Sequence, residues 1–135
     1  MERCGARTFS IEPQSKAIYH AGTVFACNYL VALVEIGLRC FQRAGLDRTN
    51  ALQILRPIVR DTVENVFRLG PARALTGPIA RGECAVVASQ CAALAEWDPE
   101  MERLYRALGR TALDLLAVEG RASAETLAAI NEILR

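Results

Sequence analysis

The chain has 135 residues, a hydrophobic fraction of 52% and a formal net charge of +1 at pH 7. This length predicts one domain of ordinary size, and the apolar content excludes a disordered chain. The near-neutral charge gives no electrostatic reason to expect nucleic acid or an anionic membrane surface as a partner. We therefore expect a globular protein with a real apolar core.

Five cysteines occur, an odd number without any C-x-x-C pair. Most lie inside apolar runs, as is typical of small buried residues in a reducing compartment, so a cytoplasmic location is expected. One histidine and no cysteine pair with ligand spacing predict no metal site. Cys84 and Cys91 are seven residues apart and predict two core positions on one helix rather than a redox pair. The others are Cys4, Cys27 and Cys40.

Polar and apolar residues alternate from Arg7 to Glu12, which predicts a short strand. No second strand pattern follows, so residues 1–13 are expected to be a connector or a residual strand of a missing sheet. Residues 14–135 predict an all-α domain, a bundle of about five helices around one long N-terminal helix. The expected helices are 14–44, a second that Asp47 or Thr49 caps and that runs to 69 with a kink near Pro57, 83–96, 99–118 and 124–134, with a short helical turn at 72–75. Asp98 and Ser123 are the expected N-terminal caps of the last two helices.

The first of these helices is unusually apolar. Residues 17–34 carry no full charge, a length at the lower edge for a membrane span. His20, Thr23 and Asn28 interrupt the run and are each costly in lipid, so no membrane crossing is expected. A helix that is apolar all round is otherwise covered by protein, which predicts a homodimer.

Lys16 and His20 are the only lysine and the only histidine, and they stand one helical turn apart. Asn28 follows two turns later, at an angle of about 80° from His20 on a regular α-helix, so both can point into one groove. Buried polar groups need a hydrogen-bonding partner. Two interpretations stay open: a groove that binds a ligand, or polar groups satisfied within the protein.

A second candidate segment is Leu75–Gly82, where glycine and proline predict a tight loop before a helix. Exposed amides in such a loop can bind an anion or a polar substrate group, although an ordinary helix connection fits equally well. No two glycines are spaced as G-x-G, so neither a dinucleotide fingerprint nor a P-loop is present. The candidate substrate-binding residues are Asn65, Thr76, Gly77, Pro78 and Arg81.

Three segments of the sequence resemble a known family of helical domains. Lys16–Ala21 and Phe25–Leu30 resemble the start of an α-helical domain of unknown function that follows a Rossmann-like NAD(P)-binding domain. Leu75–Gly82 is similar to the Leu-Thr-Gly-Pro-Ile-x-Arg-Gly loop of that family, and Asp61–Gly70 to the segment between. The resemblance extends over nearly the whole chain.

The resemblance implies a fold like the C-terminal domains of 6-phosphogluconate dehydrogenase and pyrroline-5-carboxylate reductase, which dimerise and close the substrate site. It implies that Lys16 and His20 are proton donors or substrate clamps, with Asn28 as an orienting group. NAD(P) is expected on a Rossmann domain that this sequence lacks, supplied in cis or in trans. The chain alone is then expected to bind a small-molecule substrate without cofactor and without hydride transfer. A stand-alone structural dimer, or a small-molecule-binding protein without catalysis, remains the alternative.

Overall fold

The computed structural model describes residues 9–135, and the first eight residues lie outside its description. The described chain is all-helical, which confirms the predicted fold class, and it contains no strand. It divides into two compact units, Met1–Leu55 and Arg56–Arg135. The helices are α1 (Pro13–Arg43), α2 (Arg48–Leu69), α3 (Pro71–Ala74), α4 (Gly77–Ala80), α5 (Cys84–Trp97), α6 (Pro99–Glu119) and α7 (Ala124–Ile133).

The predicted strand is absent from the positions that the structure describes. Residues 9–12 have no regular structure, and Arg7 and Thr8 lie outside the described residues. A strand is stable only when its backbone groups pair with a neighbour, and the described chain offers none. Pro13 instead opens α1, whose first turn, Pro13–Ser15, is 3-10 helix.

The long first helix is confirmed, but it is not a uniform α-helix. It is α-helical over Lys16–Thr23, forms a π turn over Val24–Asn28, and is α-helical again over Tyr29–Arg43. By length and composition it is apolar enough to cross a membrane, and only 6% of its most apolar window is buried. A membrane span and an uncovered interface helix share those two properties.

The first unit also contains the start of α2. Gly45, with a φ of +96°, ends the connection from α1, and the Asp47 side chain accepts the Asn50 backbone N–H at 3.0 Å. This is the predicted N-terminal cap. The helix then continues through Pro57 as one element, and the division between the two units falls just before that proline, after Leu55.

The second unit has a packed core. Side chains from α5, α6 and α7 form one buried cluster, and Ile79 of α4 packs against it. The cluster consists of Val87, Cys91, Leu113, Ile130 and Leu134. Cys91 is therefore the core residue that the spacing predicts, and Cys84 packs partly buried beside the cluster. Cys27 of α1 is exposed, contrary to the expectation for residues in apolar runs.

Local signals set the ends of these helices. Asp98 accepts the backbone N–H of Glu100 and of Met101, and Ser123 accepts that of Thr126, as predicted. Gly120, at φ +63°, ends α6 in the left-handed conformation. The count of about five helices was too low, because two four-residue helices, α3 and α4, lie where one short turn and a loop were expected.

Candidate functional site

The predicted trio of Lys16, His20 and Asn28 lies on α1, and all three residues are exposed. Within the described part of the chain, no hydrogen bond or ion pair of their side chains is found. Thr23 Oγ1 donates a 2.7 Å hydrogen bond to the His20 carbonyl oxygen, so the backbone beside the trio is satisfied locally. Within one copy, the polar ends of the trio are therefore directed at solvent rather than into packing.

The π turn changes the angles that the sequence predicts. The Tyr29 backbone N–H bonds to the Val24 carbonyl, five residues earlier, where a regular α-helix would use a four-residue step. The turn thus contains one residue more than a regular α-helix would. The residues after the turn are therefore rotated about the helix axis by about 100° relative to their positions in a regular α-helix. The angle between His20 and Asn28 becomes roughly 20° instead of about 80°.

The spacing along the helix axis divides the trio into two ends. Lys16 and His20 are separated by about 6 Å along the axis, so both side chains can reach one ligand atom. Asn28 lies roughly 11 Å beyond His20, too far for its short side chain to touch that same atom. The trio therefore fits a ligand with two polar ends, the first at Lys16 and His20 and the second at Asn28.

The other candidates lie in the second unit. Asn65 is half-buried on α2, and its Oδ1 accepts a 2.6 Å hydrogen bond from Arg68 Nη2. Thr76 is exposed, Gly77 has a φ of +89°, and Pro78 follows at the start of α4. Pro78 favours a helical first turn because its φ is already fixed, which is why a helix forms where a loop was expected. The trio on α1 belongs to the first unit, so the structure groups these candidates separately.

Arg81 is occupied by a neighbouring carboxylate. Its Nε and Nη2 donate to the two Glu83 carboxylate oxygens, at 2.7 and 3.0 Å. This bidentate bond lowers the pKa of Glu83 and raises that of Arg81. An anionic ligand at Arg81 would have to compete with Glu83.

The sequence reading missed Arg121, which holds the segment before α4. Its Nη1 donates to the backbone oxygens of Ala72 and Leu75, at 2.7 and 3.2 Å. This guanidinium therefore closes the C-terminal end of α3 and fixes the entry to Thr76. No local pattern marks such a residue, since its partners lie more than 45 positions earlier.

One surface depression of about 290 Å³ lies between α6 and α7. It contains none of the predicted site residues, and its polar groups are Asp114 and Asn131. The remaining lining is apolar, from Leu113, Ala117, Leu127 and Ala128. Among residues 9–135, no group of three or more histidine, cysteine or acidic side chains could hold a metal ion.

The structure thus defines an all-helical domain with a long, exposed first helix that carries polar and apolar side chains in an ordered arrangement. Residues 1–112 match the family described as "Domain of unknown function (DUF2520)", and the chain belongs to that family. No curated protein and no solved structure matches the chain.

Proposed function

We propose that this chain is the helical dimerisation and substrate-binding domain of an NAD(P)-dependent oxidoreductase. Its cofactor would bind to a Rossmann-type domain, joined in cis or supplied in trans. The observation that carries the proposal is the exposure of α1, which presents unpaired polar side chains and a large apolar surface together. The similarity of Lys16–Ala21 and Leu75–Gly82 to Rossmann-associated helical domains supports the reaction class.

The apolar surface of α1 is large enough for a stable dimer. Five large apolar side chains on the side of α1 away from Lys16 are each more than a third exposed: Ile18, Phe25, Tyr29, Leu30 and Leu33. At roughly 100 Å² of exposed surface each, they present about 500 Å², close to the apolar part, about 60%, of the ~800 Å² that each partner buries in a standard interface. A soluble monomer seldom leaves so large a patch uncovered. A second copy of the chain carries the same patch and is the occupant that we propose.

The polar side chains of α1 have the chemistry that carbonyl or imine reduction needs. A nicotinamide bound to the Rossmann-type domain would supply the hydride. The reduced substrate must also gain a proton, which the Lys16 Nζ or a His20 ring nitrogen can donate. Asn28, at the other end of the trio, would hold a second polar group of the substrate by hydrogen bonds.

The rival function is a structural dimer in which the trio has only a packing role. The exposure of Lys16, His20 and Asn28 within one copy favours the ligand-binding function. A membrane helix is a weaker alternative, because polar residues occur along the full length of α1 and are costly in lipid.

The first experiment combines light scattering with an NADPH titration of the purified 135-residue chain. We expect a mass of twice 14.7 kDa and no NADPH binding. Phe25→Glu should weaken the dimer by tenfold or more, whereas Val118→Glu, at a position of α6 that is 84% exposed against 70% for Phe25, should leave it unchanged. A monomeric wild type, or tight NADPH binding, would overturn the proposal.

Two further variants separate the proposal from the structural dimer. Lys16→Met and His20→Gln should leave both the dimer mass and the unfolding midpoint unchanged, because a ligand-facing group contributes little to packing. A packing role predicts instead that each substitution weakens the dimer.

A further inference from the structure

The π turn in α1 aligns the polar residues of the whole helix. Before the turn, His20 and Thr23 lie within roughly 40° of Lys16 around the helix axis. With one residue inserted at Val24–Asn28, Asn28 lies about 20° from Lys16 and Glu35 at about 0°. Arg39 and Gln42 fall in the same sector, which spans roughly 60° around the helix axis. We call the residues of this sector the polar stripe: Lys16, His20, Thr23, Asn28, Glu35, Arg39 and Gln42.

A regular α-helix would break this stripe into two. Without the inserted residue, Asn28, Glu35 and Arg39 would be turned by about 100–140° from Lys16, onto a different side of the helix. The sequence of α1 therefore has its polar residues in register only when the π turn is present. A π turn is rare and less favourable than α-helix, so its place between the two halves of the stripe requires a reason.

The same turn also makes the exposed apolar surface continuous. Ile18 and Phe25, before or within the turn, and Leu33, after it, fall within roughly 40° of one another on the side away from the stripe. Phe25 and Tyr29 make an edge-to-face contact across the turn, with ring centroids 5.1 Å apart. One face of α1 is thus polar from end to end, and another is apolar from end to end.

The far end of the stripe is tied to the next helix. Arg48 of α2 donates to both Glu35 carboxylate oxygens, at 3.1 and 2.6 Å. This bond joins residues 13 positions apart and links the second half of α1 to α2 within the first unit. The π turn then determines which way the first half, with Lys16 and His20, points.

We propose that the π turn Val24–Asn28 is the positioning element of the site. It keeps Lys16 and His20 on the ligand-facing stripe with Asn28, and keeps them off the apolar face that binds the second copy. This inference rests on the proposed function, because it uses the dimer to define the two faces. Val24–Cys27 act here through the backbone and not by contacting the ligand, whereas Asn28, the last residue of the turn, also holds the second polar group of the ligand.

The experiment uses the single lysine and the single histidine as reporters. The wild-type dimer is treated with acetic anhydride for Lys16 and with diethyl pyrocarbonate for His20, and rates are read by peptide mass mapping. Both residues should react within about threefold of their rates in the urea-unfolded chain, since the stripe is open to solvent. If both are protected more than tenfold in the wild-type dimer, the inference fails while the dimer itself stands.

Inserting one alanine after Asn28 changes the angle that the turn sets between the two halves of α1. The change should rotate Lys16 and His20 by about 100° against Glu35, toward the apolar face. We expect either a dimer at least tenfold weaker or at least tenfold slower labelling in the dimer that remains. Unchanged mass and unchanged labelling would overturn the inference.

Deleting Ala26 is the control that distinguishes helix rotation from simple loss of folding. It removes the residue that the π turn accommodates, so this segment can form regular α-helix with Lys16 and His20 at the same angle to Glu35. Dimer strength and labelling should stay near wild type, and a loss as large as that caused by the insertion would overturn the inference. A monomeric wild type would instead remove the proposed function, and this inference with it.

Discussion

The two compact units use similar apolar sequences in opposite ways. In the second unit the apolar residues of α5, α6 and α7 bury one another, and Leu116, Ile130 and Leu134 are fully buried. In the described part of the first unit only Leu38 and Ala51 are buried, although α1 is long and apolar enough to cross a membrane. Apolar content alone therefore does not define a core. The second unit is stabilised internally, and the surface of the first is suited to association.

The largest expected difference between the units comes from one substitution made in each. Ile130→Ala removes a fully buried side chain and should lower the free energy of unfolding by about 2–5 kcal/mol. Ile18→Ala removes a side chain that is 73% exposed, and at concentrations where the chain is monomeric it should change that energy by less than about 0.5 kcal/mol. Urea unfolding, followed by far-UV circular dichroism and by Trp97 fluorescence, measures both.

Equal effects of the two isoleucine substitutions would contradict the comparison. A large loss at Ile18 in the monomer would mean that the first unit covers this side chain by itself. A large loss only at concentrations that favour the dimer would instead support burial of Ile18 by a second copy.

A pair of glycines sharpens the same contrast. A Cβ at Gly109 would lie 2.8 and 3.0 Å from the two methyl carbons of the buried Leu134, so Gly109→Ala should cost about 1–3 kcal/mol. A Cβ at Gly22 would meet nothing within 4 Å, and Gly22→Ala should stabilise the helix by about 0.5–1 kcal/mol. Thermal unfolding of the two variants gives the signs directly.

The Gly22 result also bears on the dimer. If Gly22→Ala stabilises the monomer but weakens the dimer, the second copy approaches the backbone of α1 closely at this point. A destabilised monomer would contradict the open space that surrounds Gly22 in one copy.

Much of the fold follows from local sequence signals. The caps at Asp47, Asp98 and Ser123, together with the stop at Gly120, act within a few residues, so the ends of the long helices are predictable. Residues 9–12 form no strand, because alternation of polar and apolar residues says nothing about whether a partner strand exists. The short helix Gly77–Ala80 was missed because one turn has too few residues to show a period.

The candidate site was predictable in composition but not in geometry. The rarity of lysine and histidine singles out Lys16 and His20 in the sequence. The π turn has no residue pattern of its own, and its only trace is that polar residues before and after it share a face if one residue is skipped. Arg121 was beyond prediction, since its hydrogen bonds depend on how α3 and α6 pack.

The smallest expected effects come from two exposed ion pairs, one in each unit. The hydrogen bonds from Arg48 hold the pKa of Glu35 below its usual value, and those from Arg81 do the same for Glu83. A carboxylate with a lowered pKa stabilises the folded state above its unfolded-state pKa, and this contribution is lost as pH falls through the folded-state value. Both pairs are exposed, so little of the unfolding free energy should depend on either.

Carboxyl NMR titration of wild type, Arg48→Gln and Arg81→Gln separates the two pairs. Each substitution should raise the pKa of its own partner glutamate toward the usual value and leave the other unmoved. The Glu83 pair joins residues two positions apart, whereas the Glu35 pair joins α1 to α2. Arg48→Gln should therefore also change the amide shifts around Glu35 on α1, while Arg81→Gln should change only those of its own loop. If Arg48→Gln changes only the amide shifts near residue 48, the Glu35–Arg48 pair does not link α1 to α2, and the polar stripe is not held at its C-terminal end.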